Sequence, residues 1–177
     1  MTLVITGAHG AGKSTLCRAL AGRLGWPYHH EIGAELAQRR EPDEDASLPQ
    51  TAFDEEVFRR ELERDSSHQG PRVVESWHPG NMAYASRRSP AVVDRWMAPI
   101  LASASSDVLA VHLVAPAATL EARQHESGPA RFFLQVGRDA LAWSRKLGLA
   151  PLVLDSDRLR PDALVQAVVH ELHRRQP

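Results

Sequence analysis

The chain has 177 residues, 43% of them apolar and 24% charged, which suffices for one domain with its own core and excludes wholesale disorder. With 21 basic and 22 acidic residues the net charge is −1, so there is no basic field to hold a nucleic-acid polymer. The single cysteine, Cys17, excludes an internal disulfide framework, and no run approaches the roughly 18 unbroken apolar residues of a membrane span.

The N-terminus enters a strand-like run with no charged region before an apolar signal segment, so the expected location is the cytoplasm. Leu3, Val4 and Ile5 meet a glycine-rich turn and read as a buried strand. Leu16, Ala19, Leu20 and Leu24 recur at helical spacing, with Gly25 and Pro27 as the stop. A short strand is expected around Tyr28 to His30. The polar stretch from Arg40 to Gln50, with Pro42 and Pro49, reads as a loop. A helix from about Asp54 to Arg64 carries Glu55/Arg59 and Glu56/Arg60 at i,i+4, the pattern of a solvated face.

Val73 and Val74 mark a second buried strand ending in Glu75. Ser89 and Pro90 form an N-cap and N1 pair for a helix bearing Val93, Trp96, Met97 and Ile100, which Pro99 is expected to kink or end. Val108 to Val114 is a β-rich strand. Thr119 is a cap candidate for a helix that breaks at Gly128-Pro129, and a long helix resumes with Phe133, Val136, Ala140, Trp143 and Leu147 on one stripe. Leu152 to Leu154 form a last strand before Asp155, and Pro161 opens a final helix. Apolar strands alternating with helices predict a three-layer α/β/α domain over residues 1–177 with a five-stranded parallel sheet.

The most specific signal is Gly7-Ala8-His9-Gly10-Ala11-Gly12-Lys13-Ser14, a full match to G-x-x-x-x-G-K-[ST] between a predicted strand and a predicted helix. Gly7, Gly10 and Gly12 allow backbone N–H groups from the loop through Ala11 and Thr15 to surround phosphate oxygens, which a Cβ would obstruct. Lys13 supplies a compact charge for the β- and γ-phosphates, and the Ser14 hydroxyl suits Mg²⁺. His9 reads as a spacer within the loop. Arginines number 19 and lysines two, Lys13 and Lys146, so lysine stands in the loop where arginine is the habitual choice; a planar fork does not replace an ammonium in so tight a turn. An N-K-x-D element for reading guanine is absent, as is the apolar run ending in Asp-Glu of motor ATPases, and ATP is the expected nucleotide.

With these motifs the chain resembles the P-loop nucleoside and nucleotide kinases, a group that includes thymidylate kinases, deoxynucleoside kinases and ribosylnicotinamide-kinase-like domains. Tyr28 to Leu36 is similar to their segment after strand 2, where an acidic residue faces the phosphoryl acceptor. Val73-Val74-Glu75-Ser76-Trp77 resembles their strand-3 end, although Ser76 stands where the group commonly has arginine. Val111 to Pro116 with Leu120 and Arg123 resembles the approach to a helical lid, here about residues 119–147, and Leu154-Asp155-Ser156 resembles the loop near adenine.

The resemblance implies in-line phosphoryl transfer from ATP with Mg²⁺ to a small acceptor, a nucleoside or nucleotide, and admits a homodimer. Lys13, Arg123 and Arg131 are then the residues that neutralise transferring charge. Glu75 is read as a metal holder with Ser14, and Glu31 as the base; Glu75 acting as the base stays open. Asp155 joins the nucleotide site. Acceptor contacts are expected from Trp77, His78, Asn81, Tyr84, Arg87 and Arg88. The alternative is a regulatory ATPase with no small acceptor.

Overall fold

The computed structural model describes residues 1–39, 50–68, 70–103, 107–123 and 130–175. The expected loop with Pro42 and Pro49, and the expected break at Gly128-Pro129, lie outside them. Five strands form one parallel sheet in the order β2-β3-β1-β4-β5: β1 (Thr2–Gly7), β2 (Tyr28–His29), β3 (Arg72–Glu75), β4 (Val108–Val114) and β5 (Leu152–Asp155). The helices are α1 (Lys13–Leu24), α2 (Ile32–Arg39), α3 (Gln50–Ser67), α4 (Trp77–Arg88), α5 (Pro90–Ser103), α6 (Ala117–Arg123), α7 (Ala130–Lys146) and α8 (Pro161–Arg175). None is long and apolar enough to cross a membrane.

The central strand β1 is buried on both faces, as a parallel sheet between helical layers requires. Leu3 and Ile5 pack with Leu16, Leu20, Val168 and Leu172 of α1 and α8, while Val4 meets Val74 and Trp77 on the opposite face. Phe58, Met82, Val92, Val93 and Ile100 join α3, α4 and α5 into a further core cluster. In register, Ile5 pairs with Glu75 and Gly7 with Leu113, so the phosphate loop and the end of β3 emerge at the same carboxyl edge. Ligands bind at this edge of an open α/β sheet.

Several local expectations are corrected. Pro99 does not end its helix: α5 continues to Ser103, with Ile100 fully buried just beyond the proline. Ser89 precedes Pro90, but its buried hydroxyl has no hydrogen-bond partner and therefore does not cap α5. Thr119 lies inside α6, its hydroxyl donating to Asp157 Oδ1 at 2.6 Å. On α3 the Glu56–Arg60 pair forms, whereas Glu55 reaches across to Arg95 on α5 and Arg59 pairs with Glu56 and Glu63. The segment from Trp77 to Arg88, with Pro79 and Gly80, is helical because Pro79 falls in the first turn, where its missing N–H has no intrahelical role.

Candidate active site

The phosphate loop runs from the end of β1 into α1 through Gly12, which caps the helix in the left-handed region at φ 92°. Ala11 N–H donates to Ala8 C=O at 3.1 Å and Lys13 Nζ to the same carbonyl at 3.2 Å, closing the loop into a compact turn. The Lys13 side chain is held within the loop, only 7% exposed, beside the amino end of α1. Ammonium, backbone N–H groups and helix dipole converge there on a cleft of about 650 Å³, with Arg18 and Arg123 adding positive charge at its wall.

Opposite the loop, Glu75 ends β3 as a 6% exposed carboxylate. Ser14 Oγ donates to its Oε1 at 2.7 Å, and the Tyr28 hydroxyl donates to its Oε2. Burial and then the Glu75 hydrogen bond push the Tyr28 phenol far above its ordinary value, so it remains a donor. Directly after Glu75 the backbone turns through two non-glycine residues with positive φ, Ser76 (63°) and Trp77 (49°). A left-handed serine–tryptophan pair is strained, and strain of this kind concentrates at binding sites. The turn aims Ser76 Oγ at Glu31 Oε2, 2.6 Å away. Gly80 permits it, since a Cβ there would lie 2.6 Å from Ser76 Cβ.

Two further cavities adjoin the cleft. One of about 540 Å³ shares His9, Glu31, Ala34 and Gln38 with it and extends to Phe53, Asp54, Asn81, Tyr84 and Arg88. The other, of about 390 Å³, lies between α1 and the segment Ser156–Pro161. Arg123 stands at the border of the cleft and this second cavity, donating to Ser156 Oγ at 3.4 Å and to Ser156 C=O at 3.1 Å.

The remaining expected residues divide. His9 sits at the cleft with its ring 5.0 Å from Phe133. Asp155 does not line the second cavity; its Oδ1 accepts the N–H groups of Asp157 and Arg158, holding the loop whose following residues line the wall. Arg131 is exposed on the first turn of α7 and lines none of the cavities described here. Asn81, Tyr84 and Arg88 line the acceptor-side cavity. Trp77, His78 and Arg87 do not. Arg87 pairs with Asp139 on the far surface.

Trp77 and His78 instead belong to a buried network that was not anticipated. Asp65, on α3, accepts from Trp77 Nε1 at 3.0 Å, from Arg72 at 2.6 Å and lies 2.8 Å from His78 Nε2. Burial opposes its charge, but the bonds from His78 and Trp77 and the charge of Arg72 bring Asp65 below its ordinary pKa. Such a network locks α3 to β3 and α4, because losing one partner leaves an uncompensated buried charge. Beneath the loop, His112 on β4 is 2% exposed and bonded to Thr6 Oγ1 at 2.9 Å; burial, then Lys13 and Arg145, bring it down to about 4. Thr6 and His112 are register partners on β1 and β4, a relation that no local spacing reveals.

A phosphate loop between β1 and α1 of an all-parallel sheet in the order 2-3-1-4-5 defines a P-loop nucleotide-binding fold. Within that class the chain has the fold of the P-loop small-molecule kinases. It is similar to deoxyadenosine kinase from M. mycoides with bound dATP, at 13% identity and a TM-score of 0.64 over 98% of this chain and 100% of that one. A gluconokinase from Sinorhizobium meliloti 1021 is 19% identical with a TM-score of 0.62, covering 98% of this chain and 91% of that one. NadR protein in complex with NR gives 16% identity and a TM-score of 0.72; 96% of this chain matches 50% of that one. The profile of a family described as AAA domain matches residues 2–88, the half that holds the phosphate loop and Glu75. No curated protein matches in sequence.

Proposed function

We propose that the protein is a cytoplasmic ATP- and Mg²⁺-dependent phosphotransferase that moves the γ-phosphoryl group to a small acceptor of nucleoside or nucleotide type. The observation that carries this reading is the shared wall of the cleft and the 540 Å³ cavity, where His9, Glu31 and Gln38 face both. A transferring enzyme needs a second compartment in line with the phosphate loop; a hydrolase needs only room for water. The kinase folds among the structural neighbours support the same assignment, including those solved with bound dATP and with NR.

In this reading the backbone of Gly7 to Thr15 and the Lys13 ammonium grip the β- and γ-phosphates. The paired oxygens of Ser14 and Glu75 are hard donors that fit Mg²⁺, while the described residues offer no cluster of three His, Cys, Asp or Glu suited to a softer metal. When bound, the ion supplies charge neutralisation at the phosphates. Arg123 neutralises charge at the border of the cleft and the 390 Å³ cavity. Glu31, oriented by Ser76, takes the proton of an attacking hydroxyl on its Oε1. An acceptor that is already a phosphate needs no base, and Glu31 then only positions it.

Incubation with ATP and Mg²⁺ against a panel of nucleosides, nucleotides and small alcohols tests the assignment. A phosphorylated product from one class is expected; no product from any of them would remove it. The AAA-domain profile favours a second reading, a regulatory ATPase without a small acceptor. Turnover altered by a macromolecule and indifferent to every small acceptor would establish that instead.

A further inference from the structure

Gly137 falls inside the 17-residue helix α7, a place where glycine weakens a helix. Its backbone lies in the ordinary helical region, so no left-handed turn calls for it. What it supplies is room. A Cβ on Gly137 would lie 3.0 Å from Ala8 N, 3.1 Å from Ala8 Cβ and 3.3 Å from Ala8 Cα, so α7 rests directly on the backbone of the phosphate loop. The loop is crowded at Gly7 as well, where a Cβ would lie 2.5 Å from the Leu113 carbonyl oxygen at the end of β4. A close-packed interior has no slack of that size, and a methyl on Gly137 has to displace Ala8.

Ala8 is the residue on which the charge of the loop is anchored. Its carbonyl accepts from Lys13 Nζ at 3.2 Å and from Ala11 N–H at 3.1 Å. A shift of Ala8 is therefore passed to the ammonium. One turn earlier on the same face of α7, the Phe133 ring lies 5.0 Å from that of His9, the loop residue on the wall shared by the cleft and the acceptor-side cavity. Val136 and Ala140 seat the helix against Ala83 of α4. Among the described residues none of α7 lines the cleft or the cavity between α1 and Ser156–Pro161, so the helix bears on the loop without facing the nucleotide.

We infer that Gly137 is a positioning residue for the phosphates of the nucleotide: it admits α7 to contact with Ala8 and so places the carbonyl that anchors Lys13, while Phe133 fixes the neighbouring His9. The inference rests on the loop holding a nucleotide and is independent of the acceptor.

The test measures binding of a non-hydrolysable ATP analogue with Mg²⁺ by calorimetry. In Gly137→Ala the dissociation constant is expected to rise about 10-fold, since even small misplacements of a charged group cost heavily. The thermal midpoint should stay within about 5 °C of the unsubstituted protein. Ala8→Gly removes one of the three close contacts, so in that background Gly137→Ala should cost about 3-fold at most, the non-additivity of residues that touch. Unchanged affinity in a folded Gly137→Ala overturns the inference. So does an equal loss in both backgrounds, which makes Gly137 a general packing residue. If Gly137→Ala does not fold, hydrogen exchange on the unsubstituted protein decides. Amides of residues 133–140 should exchange at least about 5-fold more slowly with the analogue bound, and unaltered exchange overturns the inference. Absence of analogue binding overturns it together with the nucleotide site. Weakened binding in Gly137→Ala, beside an acceptor panel that yields no product, upholds the positioning role and removes phosphotransfer.

Discussion

Ser14 and Glu75 lie 61 residues apart in the chain, yet the hydroxyl of one donates to the carboxylate of the other at 2.7 Å. β1 and β3 are adjacent and in register at Ile5 and Glu75, which brings the end of β3 beside the phosphate loop. Glu75→Gln keeps the volume and a hydrogen-bonding oxygen but removes the charge. ATP turnover is expected to fall roughly 100-fold, with Mg²⁺ titrations shifted to higher concentration. Unchanged Mg²⁺ dependence would move the metal elsewhere.

Tyr28 holds the second oxygen of Glu75 from the edge strand β2. Tyr28→Phe removes that donor without changing the packing of the ring. Loss of one part-buried hydrogen bond is expected to cost about 1 kcal/mol in denaturant unfolding. The Mg²⁺ concentration for half-maximal activity should rise about 10-fold, as for other partners that orient a metal-binding carboxylate. A variant with lower stability and an unaltered Mg²⁺ requirement would make Tyr28 structural only.

Gly80 lets α4 approach the strained turn at Ser76. Alanine there gains up to about 1 kcal/mol of helix propensity, but the new methyl would sit 2.6 Å from Ser76 Cβ, and overpacking costs about 1–3 kcal/mol. The crowding term is the larger, so Gly80→Ala should be less stable by about 1 kcal/mol. Because Ser76 orients Glu31, acceptor turnover should fall with nucleotide affinity unchanged.

His112 makes stability depend on pH. In the unfolded chain its proton binds near 6.5, and in the fold only near 4. Its contribution is therefore intact above pH 6.5 and is lost progressively as pH falls from 6.5 towards 4. The difference corresponds to about 3 kcal/mol across that window. His112→Asn should reduce the slope of the stability profile between pH 6.5 and 4, measured by denaturant unfolding at each pH; His29, also brought down to about 4 by burial and by Arg64, keeps the remainder. A profile as steep as that of the unsubstituted protein would assign the dependence to other groups.

Much of the fold was legible because its signals are local. The motif from Gly7 to Ser14, the apolar run at Val108–Val114 and the stripe on α7 each lie within one element. α4 was assigned to no element, and it holds Pro79 and Gly80 as a helix because the proline falls in its first turn. Asp54 was hidden for a different reason. At the start of α3 it is followed by regularly spaced ion pairs, and the solvated face they mark says nothing of the residue on the opposite side. Trp77 and His78 are residue types that suit a ligand and a buried network equally. Only their contacts with Asp65, on another helix, assign them to the network. Local spacing reports what an element is; partners brought together by the sheet order decide what its side chains do.

The central claim is transfer to a small acceptor, and the stoichiometry of the reaction tests it most directly. With ATP, Mg²⁺ and the panel of nucleoside and nucleotide acceptors, the predicted result is one phosphorylated acceptor for each ADP formed, little free phosphate, and ADP formation that is slow until the acceptor is added. ADP matched by free phosphate, at a rate indifferent to the acceptor, would contradict it.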